Sequence, residues 1–311
     1  MTFRFIVRML PAPIRVKMAP TSRPSARARL MLTAIAIIYS LGASAHASAG
    51  AKPLRVSVGT ALSAQPQVTY ADLLRQVIPN LSLAGEVATG RLSAPLRAID
   101  RRSPPIETLD HVEIREISAL TFKAVGKPRL AVLANISRSN DAEQRTLLAV
   151  FDISRPPRLL DAVDVGMDRS TAFDDHPLVQ IGPQDIAVVT SSRHSNSNQS
   201  YALNSLIFMQ DGALALVDTF LVFGERGCGF TQRQSISIKR RPDSQSGRYH
   251  DLDVTITDRR RAVRESCDVS PPKGPAVQTT HAIYRWTAAE KRYLPQSDAL
   301  KRLADRTAER F

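Results

Sequence analysis

The chain is poor in cysteine and aromatic residues, and it lacks the short motifs of several large enzyme classes. Only two of its 311 residues are cysteine and only one is tryptophan. It contains no G-x-S-x-G nucleophile elbow, no H-E-x-x-H zinc motif and no glycine-rich phosphate loop. Ser270 and Lys273 satisfy the S-x-x-K pattern, but the two prolines between them prevent the required helical turn. The sequence therefore favours a non-catalytic protein, and no cofactor or metal is predicted.

Acidic residues are absent from residues 1–49, which contain seven lysines or arginines. An apolar run at residues 30–43 follows this basic region, and the small residues of SAHASAGA come next. This order predicts a secretory signal peptide over residues 1–49, with cleavage after Ala49. The apolar run of about 14 residues is shorter than the roughly 20 that a membrane-spanning helix needs. An uncleaved N-terminal anchor and an organelle transit peptide are the alternatives.

Cleavage would leave residues 50–311 as a single mature β-rich domain, periplasmic or secreted. General secretion is favoured because no arginine pair precedes the apolar run. Removal of the seven basic residues lowers the formal net charge from +13 to +6. Such a mildly basic protein is not expected to bind specific nucleic acids. Without its leader it would not be an integral membrane protein.

The two cysteines, Cys228 and Cys267, both lie in the predicted exported part. An oxidising compartment favours a disulfide between them. The bridge would close a loop of about 40 residues, which corresponds to roughly 4 kcal/mol in the chain-entropy model. The C-x-x-C spacing of thiolate metal sites is absent.

Short apolar, β-branched runs alternate with turn residues from Val112 onward. About eleven such runs occur with no long helical pattern between them, which predicts antiparallel strands rather than β-α-β units. The pair Asp211-Gly212 between two apolar runs predicts a tight hairpin. The predicted fold class is mainly β: an antiparallel meander that forms a sandwich or a partial propeller-like sheet assembly.

Two short helices are predicted, one near each end of the mature chain. The first covers residues 69–78, with Thr69 as N-cap and Asp72 three residues later. The second covers the C-terminal segment, with Ser297 as N-cap and with Leu300 and Leu303 facing inward. Residues 82–108 are rich in glycine, serine and proline and predict loops or short irregular strands.

The segment SSRHSNSNQSY, residues 191–201, places many polar side chains between two apolar runs. Loops on a rigid scaffold often bind ligands, but polar clusters of this kind also build ordinary hairpin loops. A carboxylate brought close by folding would be needed for His194 to act as a general base. The candidate binding residues are Ser192, His194, Asn196, Asn198 and Gln199.

Two charged segments are further candidates. An acidic segment includes Asp168 and ends in Asp174, Asp175 and His176, but its spacing matches no compact calcium loop, and turn formation explains it better. A basic hairpin could bind an anionic polymer of the cell envelope, although interleaved aspartates and the need for a charged sheet edge argue against this. The arginines of this hairpin are Arg240, Arg241, Arg259, Arg260 and Arg261.

These patterns together predict an exported, β-rich protein that binds a ligand or partner without catalysis. The alternative is a periplasmic hydrolase whose base, His194 or His250, meets a serine or aspartate only after folding.

Overall fold

Antiparallel strands make up most of this computed structural model, which describes residues 51–100, 104–136, 145–263 and 274–310. The N-terminal part contains a two-stranded sheet, a three-stranded sheet and a short helix. Their elements are β2 (Ala61–Leu62), β3 (Gln65–Thr69), α1 (Tyr70–Leu74), β4 (Ser82–Ala84), β5 (Val87–Leu92) and β6 (Leu109–Ile114).

A five-stranded sheet follows, and an N-terminal strand forms one of its edges. Its strands in spatial order are β1 (Leu54–Ser57), β7 (Glu116–Ala124), β8 (Lys127–Asn135), β9 (Thr146–Asp152) and β10 (Arg158–Asp164).

The rest of the chain is a meander of eight strands in sequence order, closed by a C-terminal helix. The elements are β11 (Ser170–Gln180), β12 (Ile186–Ser195), β13 (Gln199–Gln210), β14 (Ala213–Gly227), β15 (Phe230–Ser246), β16 (Tyr249–Ala262), β17 (Val277–Thr287), β18 (Arg292–Pro295) and α2 (Ala299–Ala308).

Strands β8 and β9 of the five-stranded sheet are buried on both faces, which explains their unbroken apolar runs. In β8, Leu130 and Val132 pack with the N-terminal sheets and α1, whereas Ala131 and Leu133 pack against β11–β14. Successive side chains of a strand point to opposite faces, so one strand serves two hydrophobic cores. The result is a multilayered antiparallel sandwich with short helices, as the sequence predicts.

The eight-stranded meander divides into two halves at β14 and β15. These long strands pair only between Gly224–Gly227 and Phe230–Arg233. Beyond that short ladder, β11–β14 pack face to face with β15–β18 and α2 in a third core. Aromatic contacts join the halves: the ring of Phe208 lies 5.4 Å from that of Tyr249, and Phe220 lies 5.6 Å from Tyr284. The short β14–β15 ladder therefore marks a corner at which the sheet changes layers.

Several local predictions are confirmed. Thr69 and Asp72 form a capping box at the start of α1, although the helix ends at Leu74 rather than Ile78. The β13–β14 turn has positive φ at both Asp211 and Gly212, the conformation that favours an Asp-Gly pair. The alternation of residues in YHDLDVTIT, residues 249–257, predicts that Leu252, Val254 and Ile256 face one side of a strand, and these residues share the buried face of β16.

Other local predictions were wrong in detail. From residue 109 onward the described residues contain thirteen strands, β6 to β18, rather than about eleven, because long runs such as 112–125 are divided. The five short strands β1 to β5 precede them and carry little apolar signal. Asp298, not Ser297, is the N-cap of α2, and its side chain makes no capping hydrogen bond.

Two predictions depend on residues outside the described part of the chain. The signal peptide over residues 1–49 lies there, and so does Cys267. Cys228 lies in the turn between β14 and β15. Cleavage and the disulfide therefore stay predictions. Among the described residues, no helix has the length and apolar character needed to cross a membrane.

Candidate functional site

Two open pockets meet at the corner where β14 pairs with β15. The first, here called the arginine pocket, has a volume of about 690 Å³. The second, the adjoining pocket, has a volume of about 610 Å³. Both are lined by Ser195, Ser200, Gly224 and Arg233, so they share a boundary.

The sheet register builds the arginine pocket from two rows of cross-strand neighbours. One row joins Ser200 to Gly224, Gly224 to Arg233, and Arg233 to Arg259. Directly paired residues place their side chains on the same side of a ladder. The other row contains Asn198, Arg226, Thr231 and Arg261. Four strands thus contribute to one surface.

The arginines of this pocket are poorly compensated by acidic groups. Arg233 lies directly opposite Arg259 on β16, and both are exposed. Like charges in this position destabilise a strand pair. Within the described residues, Arg233, Arg259 and Arg261 make no ion pair. The pocket thus keeps an excess of positive charge.

The acidic residues near the arginine pocket are engaged elsewhere. Glu225, the acidic residue in its lining, pairs with Arg310 just beyond the end of α2. Asp258 precedes Arg259 on β16, but its carboxylate accepts hydrogen bonds from the amides of Gln232 and Gln234. Neither Glu225 nor Asp258 therefore forms a described ion pair with Arg233, Arg259 or Arg261.

The predicted polar loop is much shorter than its sequence suggests. β12 continues to Ser195 and β13 begins at Gln199, which leaves a three-residue connection. The side-chain oxygen of Asn196 accepts hydrogen bonds from the backbone N–H groups of Asn198 at 3.0 Å and Gln199 at 2.8 Å. The amide of Gln199 donates to the carbonyl of Arg310 at 3.1 Å. These bonds hold the polar rim of the pocket in one conformation.

A hydrogen-bonded trio lies beside the adjoining pocket. Nδ1 of His194 lies 3.1 Å from Oδ1 of Asp168, and the hydroxyl of Tyr201 donates to Oδ2 of the same carboxylate. His194 and Tyr201 are cross-strand neighbours whose rings stack with centroids 5.4 Å apart. Folding therefore supplies the orienting carboxylate that the sequence alone could not assign to His194.

The trio shifts the protonation of its members. Burial opposes ionisation of Asp168, but hydrogen bonds from Tyr201 and His194 outweigh it, so the pKa of Asp168 lies below its ordinary value. Burial, the hydrogen bond to Asp168 and the negative charge of that carboxylate raise the pKa of Tyr201 to about 12. Asp168 is therefore ionised and Tyr201 is protonated at neutral pH.

The structure brings most of the predicted loop residues to the pockets. Asn196, Asn198 and Gln199 line the arginine pocket, and His194 lines the adjoining pocket. Ser192, in contrast, lines neither pocket, because its side chain is buried and its hydroxyl lies 2.7 Å from that of Thr171. His250 is buried too, in the layer between the two halves of the meander, and lines neither pocket.

The predicted basic hairpin is divided by the fold. Arg259 and Arg261 line the arginine pocket, whereas Arg260 projects differently and donates to the side chain of Gln232. Arg240 pairs with Leu252, seven residues along β16 from Arg259, a separation of about 23 Å at the usual strand rise. Arg240 and Arg241 therefore belong to a different surface.

Sequence reasoning missed Gly224, Arg226 and Arg233. These residues lie on β14 and β15, outside the segments that contain the predicted residues. Their sequence positions alone do not show that they lie beside those residues, because that depends on how the strands pair. The acidic segment contributes Asp174, Asp175 and His176 to the adjoining pocket. Among the described residues, however, no three histidine, cysteine, aspartate or glutamate side chains form a group that could hold a metal ion.

Comparisons with protein-family models, with curated proteins and with solved structures found no match to this chain.

Proposed function

We propose that this protein binds an anionic ligand of the cell envelope in the arginine pocket and does so without catalysis. The observation that carries the proposal is the uncompensated pair Arg233 and Arg259, cross-strand neighbours in a pocket that Arg261 also lines. Planar guanidinium groups bind carboxylates, sulfates and phosphates through paired hydrogen bonds. An anionic ligand would relieve the repulsion between the two arginines and receive directed hydrogen bonds from both.

The rim of the pocket supports the same function. Amide and hydroxyl groups of Asn198, Gln199 and Thr231 surround the arginines and offer both donors and acceptors. The predicted export of the chain would place this pocket among the anionic polymers and lipids of an envelope. A binding protein in that location needs no reactive group.

Heparin, used as a generic polyanion, tests the proposal on the purified protein. We expect the protein to be retained on heparin resin and to elute at a salt concentration above physiological. The double variant Arg259→Ala/Arg261→Ala should elute at clearly lower salt. When the affinity of this double variant for heparin is measured at several salt concentrations, the slope of log affinity against log salt should be less steep than that of the wild type by about two units. The reason is that the variant displaces about two fewer counterions. Circular dichroism should show an unchanged fold, since both side chains are exposed.

The matched control is Arg240→Ala/Arg241→Ala, which removes the same charge from the other end of the same hairpin. It should elute close to the wild type. If both double variants eluted at equally reduced salt concentrations, binding to heparin would depend on net charge rather than on the arginine pocket. Failure of the wild type to bind would end the proposal.

Hydrolysis is a second candidate function, favoured by the contact between Asp168 and His194. A carboxylate at Nδ1 fixes the tautomer and orientation of a histidine base. The contact orients His194 as a base but does not itself supply a nucleophile, and the simplest nucleophile for such a base is a water molecule. This places hydrolysis behind ligand binding.

Hydrolysis of p-nitrophenyl acetate and bis(p-nitrophenyl) phosphate tests this candidate. His194→Ala should abolish any rate, whereas His176→Ala, an exposed histidine of the same pocket, should retain it. A wild-type rate that equals the buffer rate, or equal losses in the two variants, would remove hydrolysis as a function of His194.

A further inference from the structure

Gly224 lies at the boundary of the two pockets, in the interior of a paired strand where a glycine has no conformational role. It faces Ser200 on one side and Arg233 on the other, and all three line both pockets. Its φ is not positive, so the backbone does not require glycine there. A Cβ atom at this position would lie 2.8 Å from Oγ of Ser200. The absent side chain therefore leaves room for the Ser200 hydroxyl, and two small residues line the boundary between the pockets.

We infer that the two pockets form one trough, continuous across the small residues Ser200 and Gly224 that line both, and that this trough binds a linear acidic polysaccharide. This inference rests on the proposed function and adds the class of ligand. Arg259 and Arg261 would hold acidic groups of the chain in the arginine pocket, and Arg233 would meet it at the boundary. The neighbouring sugars would pass over Gly224 into the adjoining pocket.

The lengths and the charges of the two pockets fit such a chain. The row from Ser200 to Arg259 crosses three strand spacings, about 14 Å, which exceeds the length of a single sugar. The arginine pocket carries excess positive charge, whereas the adjoining pocket balances Arg193 and Arg233 with Asp174 and Asp175. Acidic units therefore bind on one side of Gly224 and neutral or mixed units on the other.

The neutral groups of the arginine pocket favour sugar over nucleic acid. Its described lining contains no aromatic ring, and of the rings that line the adjoining pocket Tyr201 is stacked on His194 and Phe223 is buried. Proteins that bind single-stranded nucleic acids combine a basic groove with aromatic rings on which successive bases stack. Serine, threonine, asparagine and glutamine side chains occupy the positions between the arginines. Such groups match the alternating donors and acceptors of sugar hydroxyls.

Isothermal titration with oligogalacturonates of increasing length tests the trough. In the wild type, an octamer should bind at least tenfold more tightly than a dimer after correction for the number of equivalent registers. Gly224→Val should abolish this advantage of length, because its side chain fills the boundary between the two pockets. Arg261→Ala should weaken dimer and octamer alike.

Arg193→Ala keeps the inference testable if Gly224→Val does not fold. Arg193 is exposed and lines only the adjoining pocket, so its loss should weaken the octamer and leave the dimer unchanged. Equal binding of dimer and octamer, or no effect of either variant on the octamer, would overturn the trough.

Two other probes separate the possible failures. Polyphosphate or oligothymidylate of matched charge should bind more weakly than the octamer. If either binds more tightly, the polysaccharide assignment is wrong while anion binding stands. If no anion binds, the proposed function itself is wrong.

Discussion

The two ends of the β15–β16 hairpin carry similar numbers of basic residues, but the cross-strand partners of these residues differ between the ends. At the turn end, Lys239 lies opposite Asp253, and Arg241 lies opposite Asp251. At the other end, Arg259 lies opposite Arg233, and Arg261 lies opposite Thr231. The same composition thus gives a charge-balanced edge at one end and a pocket with like-charged neighbours, Arg233 and Arg259, at the other. Charge counted along the sequence cannot distinguish a structural cluster from a binding cluster, whereas the cross-strand partner can.

The turn end also contains an arginine with a structural role. Both Nε and Nη2 of Arg248 donate to the carboxylate of Asp185, at 3.2 and 2.6 Å, and the guanidinium lies 5.1 Å from the ring centre of Tyr249. Asp185 is buried in the β11–β12 turn. This contact connects the two halves of the meander, so it stabilises the fold rather than a ligand.

The largest expected effect on stability follows from that contact. Arg248→Ala removes both hydrogen bonds from the buried Asp185 carboxylate and should lower the free energy of unfolding by about 2 kcal/mol. Urea denaturation followed by tryptophan fluorescence measures the change. Arg240→Ala is the control, because Arg240 is an exposed arginine at the same end for which the described residues show no ion pair, and it should stay within about 0.5 kcal/mol of the wild type. Similar losses of unfolding free energy in both variants would contradict a specific structural role of Arg248.

A smaller, pH-dependent effect is expected beside the adjoining pocket. Asp168→Asn removes a carboxylate whose folded pKa lies below its ordinary value of 3.8. The stability that such a group contributes is present above its unfolded pKa and is lost as the pH falls through its folded pKa. The variant should therefore be about 1 kcal/mol less stable than the wild type at pH 7 and nearly equal to it near pH 2.

Urea denaturation at both pH values gives this comparison. Asp175→Asn, an exposed carboxylate of the same pocket, should show little change at either pH. A loss for Asp168→Asn of the same size at both pH values would show that its charge does not contribute.

The smallest effect is expected to have the opposite sign. Arg259→Thr removes one member of the like-charged pair with Arg233 and should raise the free energy of unfolding by about 0.5 kcal/mol without ligand. The gain should disappear at high salt, where exposed charges are screened. Thermal unfolding at low and high salt provides the measurement. Arg261→Thr, which lies opposite Thr231, should show no such gain. Destabilisation by Arg259→Thr would mean that this arginine supports the fold.

The sequence predicted those features that depend on neighbours in the chain. The Asp211-Gly212 hairpin and the Thr69–Asp72 capping box are set by local backbone conformation and hydrogen bonding, and both are present. Strand periodicity predicted the buried face of β16. Amide side chains of residues 196–199 were identified because they stand out between two apolar runs. Export and the disulfide stay predictions.

Tertiary structure decided which of these residues form a site. Gly224 and Arg233 meet only because β14 and β15 pair over a short ladder, and Arg259 joins them through the register of β15 with β16. Asp168 reaches His194 from the connection between β10 and β11. A shift of register by one residue would turn each side chain to the opposite face. The sequence by itself determined a β-rich chain with polar and basic segments, and the register of distant strands determined that these segments share one pocket.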